Sequence, residues 1–446
     1  MNQPSSIIRG PARACKSGPL TGRFAAPGDK SVSHRALILG ALAHGMTRVE
    51  GLLESDDVLN TGKAVSALGA QVDNIGPGQW TIIGTSGKFD TPQDVLDFGN
   101  AGTGVRLMMG AVAGAGVSAE FVGDESLSSR PMARVIDPLT GMGAQFSSNN
   151  GRLPVSLAAS ALIGMEYEPP IASAQVKSAL LLAGLGATGT TIIGEPHATR
   201  DHTERMLEAF GAHIDVARSG PGLRVQLAGP QRLTACDVTV PGDPSSAAFA
   251  VVAALIVPRS SVQISGVMNN PARTGLYLTL KEMGADLAFE DGPKMAGEST
   301  ITLDVRSSGL HGIDVPADRA PSMIDEYPVL AVAAAYAQGV TRLFGLAELR
   351  AKESDRLAAT AQMLTANGVR VEIGEDSLTV HGCGAGLVPG GGLTHTHHDH
   401  RLAMSGLILG LAAQSPSTID DAAMIATSYP SFFDHMHQLG ARLEEA

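Results

Sequence analysis

Apolar residues at Val32, Ala36, Leu39 and Ala43 recur at helical spacing, so the stretch after Pro27 predicts a helix with one buried face. Ser31 and Arg35 are i,i+4 neighbours on another face, beside Lys30 at the helix entrance. A longer periodicity overlies this one. An apolar residue or Asn closes a helix, Gly follows, then Ala or Val, one variable residue, and an apolar strand start. The pentads are LGAQV at Leu68, MGAQF at Met142, FGAHI at Phe210, MGADL at Met283, NGVRV at Asn367 and LGARL at Leu439. Their glycines suit the left-handed C-cap of a helix, and the residues that follow enter a strand. One or two such pentads are incidental helix stops, but six at intervals of roughly 70 to 85 residues predict an internally repeated α/β unit.

PGDKS at Pro27 is echoed by PGDPSS at Pro241, each ahead of an apolar helical stretch. The echo splits the six units into two sets of three. It predicts a first domain over 28–240 and a second built from 241–446 with residues 1–27, with the active site in the cleft between them. A length of 446 residues accommodates about two domains or a few more. Aromatic residues are only 4% of the chain, so its cores must be made of Ala, Val, Leu, Ile and Met. The 53 Gly and 25 Pro are scattered among apolar segments and read as turns.

A formal charge of −12 argues against nucleic acid as a partner, and any basic site must be local. Cys15, Cys236 and Cys383 are odd in number and far apart, which fits a reducing compartment and gives no zinc spacing. The start lacks a basic-then-apolar pattern, and apolar runs such as Ala331 to Tyr336 fall far short of about 20 residues, so no membrane partner and a cytoplasmic location are expected.

Candidate chemistry gathers at helix starts. PGDKSVSHR places Lys30, Ser31 and Arg35 where unpaired N–H groups and the helix dipole favour a phosphate or carboxylate. It is not a Walker A loop, because Asp29 follows Gly28, and an ordinary helix start with solvated cations fits the same window. In LDFGNAGTGVRLMMG, Gly99, Gly102 and Gly104 precede a helix from about Val105, either to let backbone amides approach an anion or as a plain glycine turn. Arg130 stands before Pro131 at a helix entrance, with an exposed structural arginine as the alternative. After Pro169 and Pro170 a helix carries Ser173, Gln175 and Lys177, where Ser173 also suits a cap. Arg200 opens another helix, whose Asp201 to Glu204 spacing is equally a capping pattern.

Farther on, Asp325 and Glu326 abut a nearly all-apolar helix, where a carboxylate needs a partner or a task. Lys352, Glu353 and Arg356 follow, with Lys352 and Arg356 one turn apart, and a salt-bridged solvated face fits them too. THTHHDHRLAMSG invites a metal reading through His395, His397, His398, Asp399 and His400. The helix is expected to begin only near His400, so no i,i+4 histidine pair forms, and Arg401 is the more informative residue.

Across its whole length the chain resembles the 5-enolpyruvylshikimate-3-phosphate synthase family, through PGDKSVSHR, NAGTGVR, SRPM, SAQVKSA, RDHTE, DEYP, KESDRL and DHR. GDKS, RDHTE and SAQVK resemble its class II branch. The resemblance implies an α/β fold of two similar domains, each of three repeated βαβαββ units, described as an inside-out α/β barrel. It implies that Lys30, Ser31, Arg35, Ser173, Gln175, Arg200, Asp325 and Lys352 hold shikimate 3-phosphate. It likewise implies that Lys30, Gly102, Arg130, Gln175, Arg356 and Arg401 hold phosphoenolpyruvate. Asp325 is then the candidate base and Glu353 the candidate acid, with Lys30 shared by both substrates. No metal or cofactor is expected, the chain is expected to be a monomer, and glyphosate is expected to compete with phosphoenolpyruvate.

Two positions depart from the wider family pattern. Thr427 stands in ATSYP where other branches carry a lysine, and Ala174 follows Ser173 where they show a second serine. Two rival readings bear on function. An enolpyruvyl transferase acting on a UDP-sugar usually has a mobile-loop cysteine in its first domain, which neither Cys15 nor Cys236 supplies. A non-catalytic anion-binding protein on the same fold is disfavoured by the presence of both Asp325 and Glu353.

Overall fold

The computed structural model describes residues 8–170, 173–220 and 222–446. Its strands form six sheets of four strands each, all with one build. A short edge strand runs parallel to its neighbour, and two antiparallel strands complete the sheet. Leu96–Asp97, for instance, is parallel to Ala119–Val122, which pairs antiparallel with Arg152–Ala158 and through it with Gln145–Asn149. The strand after each pentad forms the far edge of its sheet. The six pentad glycines, Gly69, Gly143, Gly211, Gly284, Gly368 and Gly440, all have φ between 79° and 108°, the left-handed turn that a side chain resists.

The chain divides into two compact units. One comprises Gly28–Pro241 with Lys294–Glu298; the other comprises 8–27, Gly242–Pro293 and Ser299–Ala446. In the second unit, Ala12–Cys15 pairs antiparallel with both Ser417–Ile419 and Arg442–Glu445, and Thr21–Ala25 runs parallel to Ser261–Met268. The chain's first described residues thus complete sheets begun more than 200 residues later.

Each unit alternates two kinds of helix. Lys30–Leu42, Gly102–Ala115 and Ala174–Gly184 in the first unit are buried almost all round, as are Pro244–Ile256, Tyr327–Tyr336 and His400–Gly410 in the second. This corrects the expectation of a single buried face at Val32, because every residue from Val32 to Leu42 is buried. A helix apolar on all sides is a core helix. Each is followed in its repeat by a helix with an exposed side, such as Asp56–Ala67 or His202–Ala209.

With few aromatics to fill space, the core helices pack backbone to backbone. A Cβ on Gly110 would lie 2.1 Å from the Ala179 carbonyl oxygen, and one on Gly114 2.8 Å from that of Leu182. Any side chain there forces the Gly102–Ala115 and Ala174–Gly184 helices apart. The consequence for the site is positional, since polar groups at the helix starts sit on rigid elements. Among the described residues, no helix is long and apolar enough to cross a membrane.

Candidate active site

In the first unit Asp29 caps the Lys30–Leu42 helix, accepting from Val32 N at 2.8 Å. Lys30 therefore leaves the first turn at a fixed angle, and its ammonium lies 2.7 Å from Asp57 Oδ2. Asp57 stands at the start of the Asp56–Ala67 helix, where the dipole favours a carboxylate. Arg35, one turn on, is 3% exposed; Nε donates to Thr203 Oγ1 (2.7 Å), Nη2 to Ser178 Oγ (2.8 Å) and Nη1 to the Ser31 carbonyl (2.9 Å). It ties the two neighbouring helices to the lysine's own. His34, between them, donates or accepts at Nδ1 with Thr61 Oγ1 (2.8 Å) and is wholly buried. Burial first, and the cations Lys30 and Arg35 second, push its pKa well below the ordinary value, so it is neutral.

The helix expected from about Val105 begins at Gly102, with Gly102 and Gly104 themselves in its first turn, and Gln175 of the Ala174–Gly184 helix bonds to it twice. Its Oε1 accepts from Arg106 Nη1 (2.7 Å) and its Nε2 donates to Thr103 Oγ1 (2.9 Å). Arg130 ends the Glu125–Ser129 helix, three residues before the Ala133–Gly141 helix begins, and is not at a helix entrance. Its Nη2 donates to Asn100 Oδ1 (2.5 Å). A Cβ on Gly102 would lie 2.8 Å from Arg130 Nη1 and 3.6 Å from Arg106 Nη1, so the glycine lets two guanidinium groups crowd one helix start. Ser173 is the N-cap of the Ala174–Gly184 helix, accepting from Val176 N at 3.5 Å.

Arg200 is half-buried just before the His202–Ala209 helix. The Asp201 to Glu204 capping pattern is not realised: Asp201 accepts instead from Arg205 Nε (2.8 Å), and Glu204 turns inward to Lys177. Lys177 Nζ lies 2.8 Å from Glu195 Oε2 and 2.5 Å from Glu204 Oε1, all three buried. Thr199 donates to the other oxygen of Glu195, which pins the turn leading to Arg200. Asp201, His202 and Glu298 bring ligand-type atoms within 4.8 Å of one another. Arg205 already supplies the cation there, 3.6 Å from Glu298 and hydrogen-bonded to Asp201.

The second unit holds a denser cluster. Asp325 Oδ1 lies 3.1 Å from Arg356 Nη1 and 3.4 Å from Lys352 Nζ, and Glu353 Oε2 lies 2.5 Å from Arg356 Nη2. Lys352 and Arg356 are not a turn apart on one helix. Lys352 follows the 3-10 turn Ala347–Ala351, and Arg356 opens the Arg356–Ala366 helix, so the chain doubles back to bring both to Asp325. Asp399 grips the remaining side of Arg356, with Oδ2 2.7 Å from Nε and Oδ1 3.3 Å from Nη2. Burial pulls the arginine's pKa down, but Asp399, Glu353 and Asp325 together more than offset it and hold it above its ordinary value.

Asp399 also caps the His400–Gly410 helix through Arg401 N (2.9 Å). That helix begins at His400, as its sequence predicts, and His395 turns away to Asp420 Oδ2 (3.1 Å). Arg401 Nη1 donates to the Asp325 carbonyl (3.1 Å) and to Glu326 Oε1 (3.2 Å). Among the described residues its Nε and Nη2 have no protein partner, which leaves a two-donor edge for an anion. Thr427 Oγ1 donates to the Met424 carbonyl (2.7 Å), so that position brings no cation.

Sequence reasoning missed Asp57, Arg106 and Thr203, and it weighed Asp399 only as a metal ligand, whereas Asp399 holds Arg356. Each holds a residue that it did single out. The signal that points to two of them is weak but physical: Asp57 and Asp399 are carboxylates at helix starts ahead of buried faces, where a free charge is costly.

Six like α/β units carry ammonium and guanidinium groups at rigid helix starts beside paired carboxylates, the donor set of a protein built to hold anions. The chain belongs to the EPSP synthase (3-phosphoshikimate 1-carboxyvinyltransferase) family, whose pattern it matches over residues 15–436. It is 66% identical over 437 residues to the 3-phosphoshikimate 1-carboxyvinyltransferase of Maricaulis maris, covering 98% of each chain. The enzyme of that name from Methylobacterium radiotolerans is 58% identical over 440 residues, covering 97% of this chain and 98% of the relative. Among solved structures, EPSP synthase from Acinetobacter baumannii superposes with a TM-score of 0.86 at 41% identity, covering 98% of this chain and 99% of that one.

Proposed function

We propose that this protein transfers the enolpyruvyl group of phosphoenolpyruvate to the 5-hydroxyl of shikimate 3-phosphate and releases inorganic phosphate. The observation that carries the reading is the pair of carboxylates, Asp325 and Glu353, held on the single guanidinium of Arg356. The reaction needs one proton taken from the attacking hydroxyl and one delivered to the phosphoenolpyruvate methylene. Asp325, with two cations within 3.4 Å favouring its charged form, takes the hydroxyl proton. Glu353 delivers a proton to the methylene carbon as the 5-oxygen bonds to the adjacent carbon, giving a tetrahedral intermediate with a methyl group. Loss of phosphate, with a proton removed from that methyl, restores the enol ether.

Lys30, Ser31, Arg35, Ser173, Gln175, Arg200 and Lys352 serve shikimate 3-phosphate. Lys30, Gly102, Arg130, Gln175, Arg356 and Arg401 serve phosphoenolpyruvate, where fixed guanidinium and ammonium groups stabilise the developing charge without a metal. Arg35 is held by Ser31, Ser178 and Thr203, which fits positioning of the helix start as well as phosphate contact. Glyphosate competes at the phosphoenolpyruvate subsite, and the enzyme works as a cytoplasmic monomer.

The methyl intermediate gives the test. Product formed in D2O from both substrates should carry deuterium in its enolpyruvyl methylene, detected by mass spectrometry. Product free of deuterium there excludes addition and elimination through a methyl group, and absence of product excludes the activity.

A further inference from the structure

The two PGD turns begin alike and end differently. Lys30 and Ser31 follow Asp29 in the first, whereas Pro244 and Ser245 follow Asp243 in the second. Both aspartates cap 13-residue core helices. The second copy therefore carries no ammonium at this position, and its serine has another task. Ser245 Oγ donates to Glu326 Oε1 in a short hydrogen bond and accepts from Arg273 Nη2 (3.0 Å), which also reaches Asp243 Oδ1 (2.9 Å). Glu326 is the N-cap residue of the Tyr327–Tyr336 helix, 2% exposed, and the same Oε1 accepts from Arg401 Nη1 (3.2 Å).

The starts of all three core helices of this unit, at Ser245, Glu326 and Arg401, thus meet on one carboxylate oxygen. Its second oxygen, Oε2, is buried and has no hydrogen-bond partner among the described residues. Such an arrangement is costly unless it serves something. Positive helix ends and the Arg401 guanidinium converge on this carboxylate, and Arg273 reaches it only through the Ser245 hydroxyl. What it achieves is a fixed pose for Arg401, whose Nη1 is held while its Nε and Nη2 edge is left open.

We infer that Glu326, braced by Ser245, is a positioning residue that sets the orientation of Arg401 towards the carboxylate or phosphate of phosphoenolpyruvate. The inference rests on Arg401 being a phosphoenolpyruvate ligand. Glu326→Ala should raise KM for phosphoenolpyruvate about tenfold, the size expected from one lost charge-assisted hydrogen bond, and leave KM for shikimate 3-phosphate within about twofold. Glu326→Gln, which keeps the shape and one acceptor oxygen, should recover most of that loss. A general structural role moves both constants together and gives no such rescue. Arg401→Lys is the reference variant, since an ammonium offers no two-donor edge.

If Arg401→Lys raises KM for phosphoenolpyruvate and Glu326→Ala does not, the positioning inference is overturned and the ligand assignment stands. If Arg401→Lys leaves that constant unchanged, both are overturned. Should Glu326→Ala fail to fold, Ser245→Ala with the same two KM measurements decides. A selective rise for phosphoenolpyruvate supports the bracing, and unchanged or equally raised constants refute it.

Discussion

Replacing Lys177 by Met should cost the Gly28–Pro241 unit a large part of its stability. The ammonium sits between two carboxylates, and the side chains of Lys177, Glu195 and Glu204 are 0%, 1% and 5% exposed. The pKa values of both partners are displaced upward. Burial lowers that of Lys177, but Glu204 and Glu195 overcome it; burial raises that of Glu204, and one shared ammonium does not cancel it. The cation is satisfied twice over, while each carboxylate has half a counter-charge.

Removing the lysine strands two buried carboxylates, and breaking a buried pair in this way costs about 3–5 kcal/mol. For a unit of this size that lowers the unfolding midpoint by about 6–20 °C. The pH dependence has a definite sign. The Lys177 contribution is fully present below the lysine's unfolded pKa, so it persists at neutral pH and is lost only in alkali. Glu204, with its raised pKa, is more favourable protonated, and without the ammonium its pKa rises further. The deficit of Lys177→Met relative to the parent should therefore be largest near pH 8 and shrink towards pH 5. Thermal and urea unfolding of both proteins at the two pH values measures it. A loss below about 1 kcal/mol at pH 8, or one that grows on acidification, refutes the reasoning.

Three further outcomes concern the reaction. Asp325→Asn should keep substrate binding and lower kcat by about 100-fold to 10,000-fold, and near-normal turnover in a steady-state assay removes Asp325 as the base. Arg356→Ala should raise KM for phosphoenolpyruvate more than for shikimate 3-phosphate, together with a lower unfolding midpoint, since Asp399, Glu353 and Asp325 all lose their shared cation. Gly102→Ala places a methyl 2.8 Å from Arg130 Nη1, so the guanidinium must swing aside. The longer glyphosate should lose more affinity than phosphoenolpyruvate, read as the ratio of its inhibition constant to the Michaelis constant, and an unchanged ratio shows that Gly102 does not line the subsite.

The repeat was legible in sequence because it depends on local backbone chemistry. A left-handed C-cap demands glycine, and the six pentad glycines mark the far edge strand of every sheet. Helix starts were legible for the same reason, as at His400 and Tyr327. The Lys30–Leu42 helix reads as one-faced in the sequence, because small residues such as Ser33 and Gly40 look polar or neutral while packing as core. Turns that redirect the chain between adjacent charges leave no such mark, so the spacing of Lys352 and Arg356 reads as one helix turn where the chain in fact breaks. The supporting carboxylates at Asp57, Glu326 and Asp399 act across gaps of 27, 75 and 43 residues, and no local spacing encodes such pairings.

The central claim is the transfer itself, and release of inorganic phosphate from phosphoenolpyruvate measures it most directly. Purified protein should release phosphate only when shikimate 3-phosphate is present, in a one-to-one ratio with an enol-ether product. Release without that acceptor, release that instead requires a UDP-sugar, or no release with both substrates present contradicts the account.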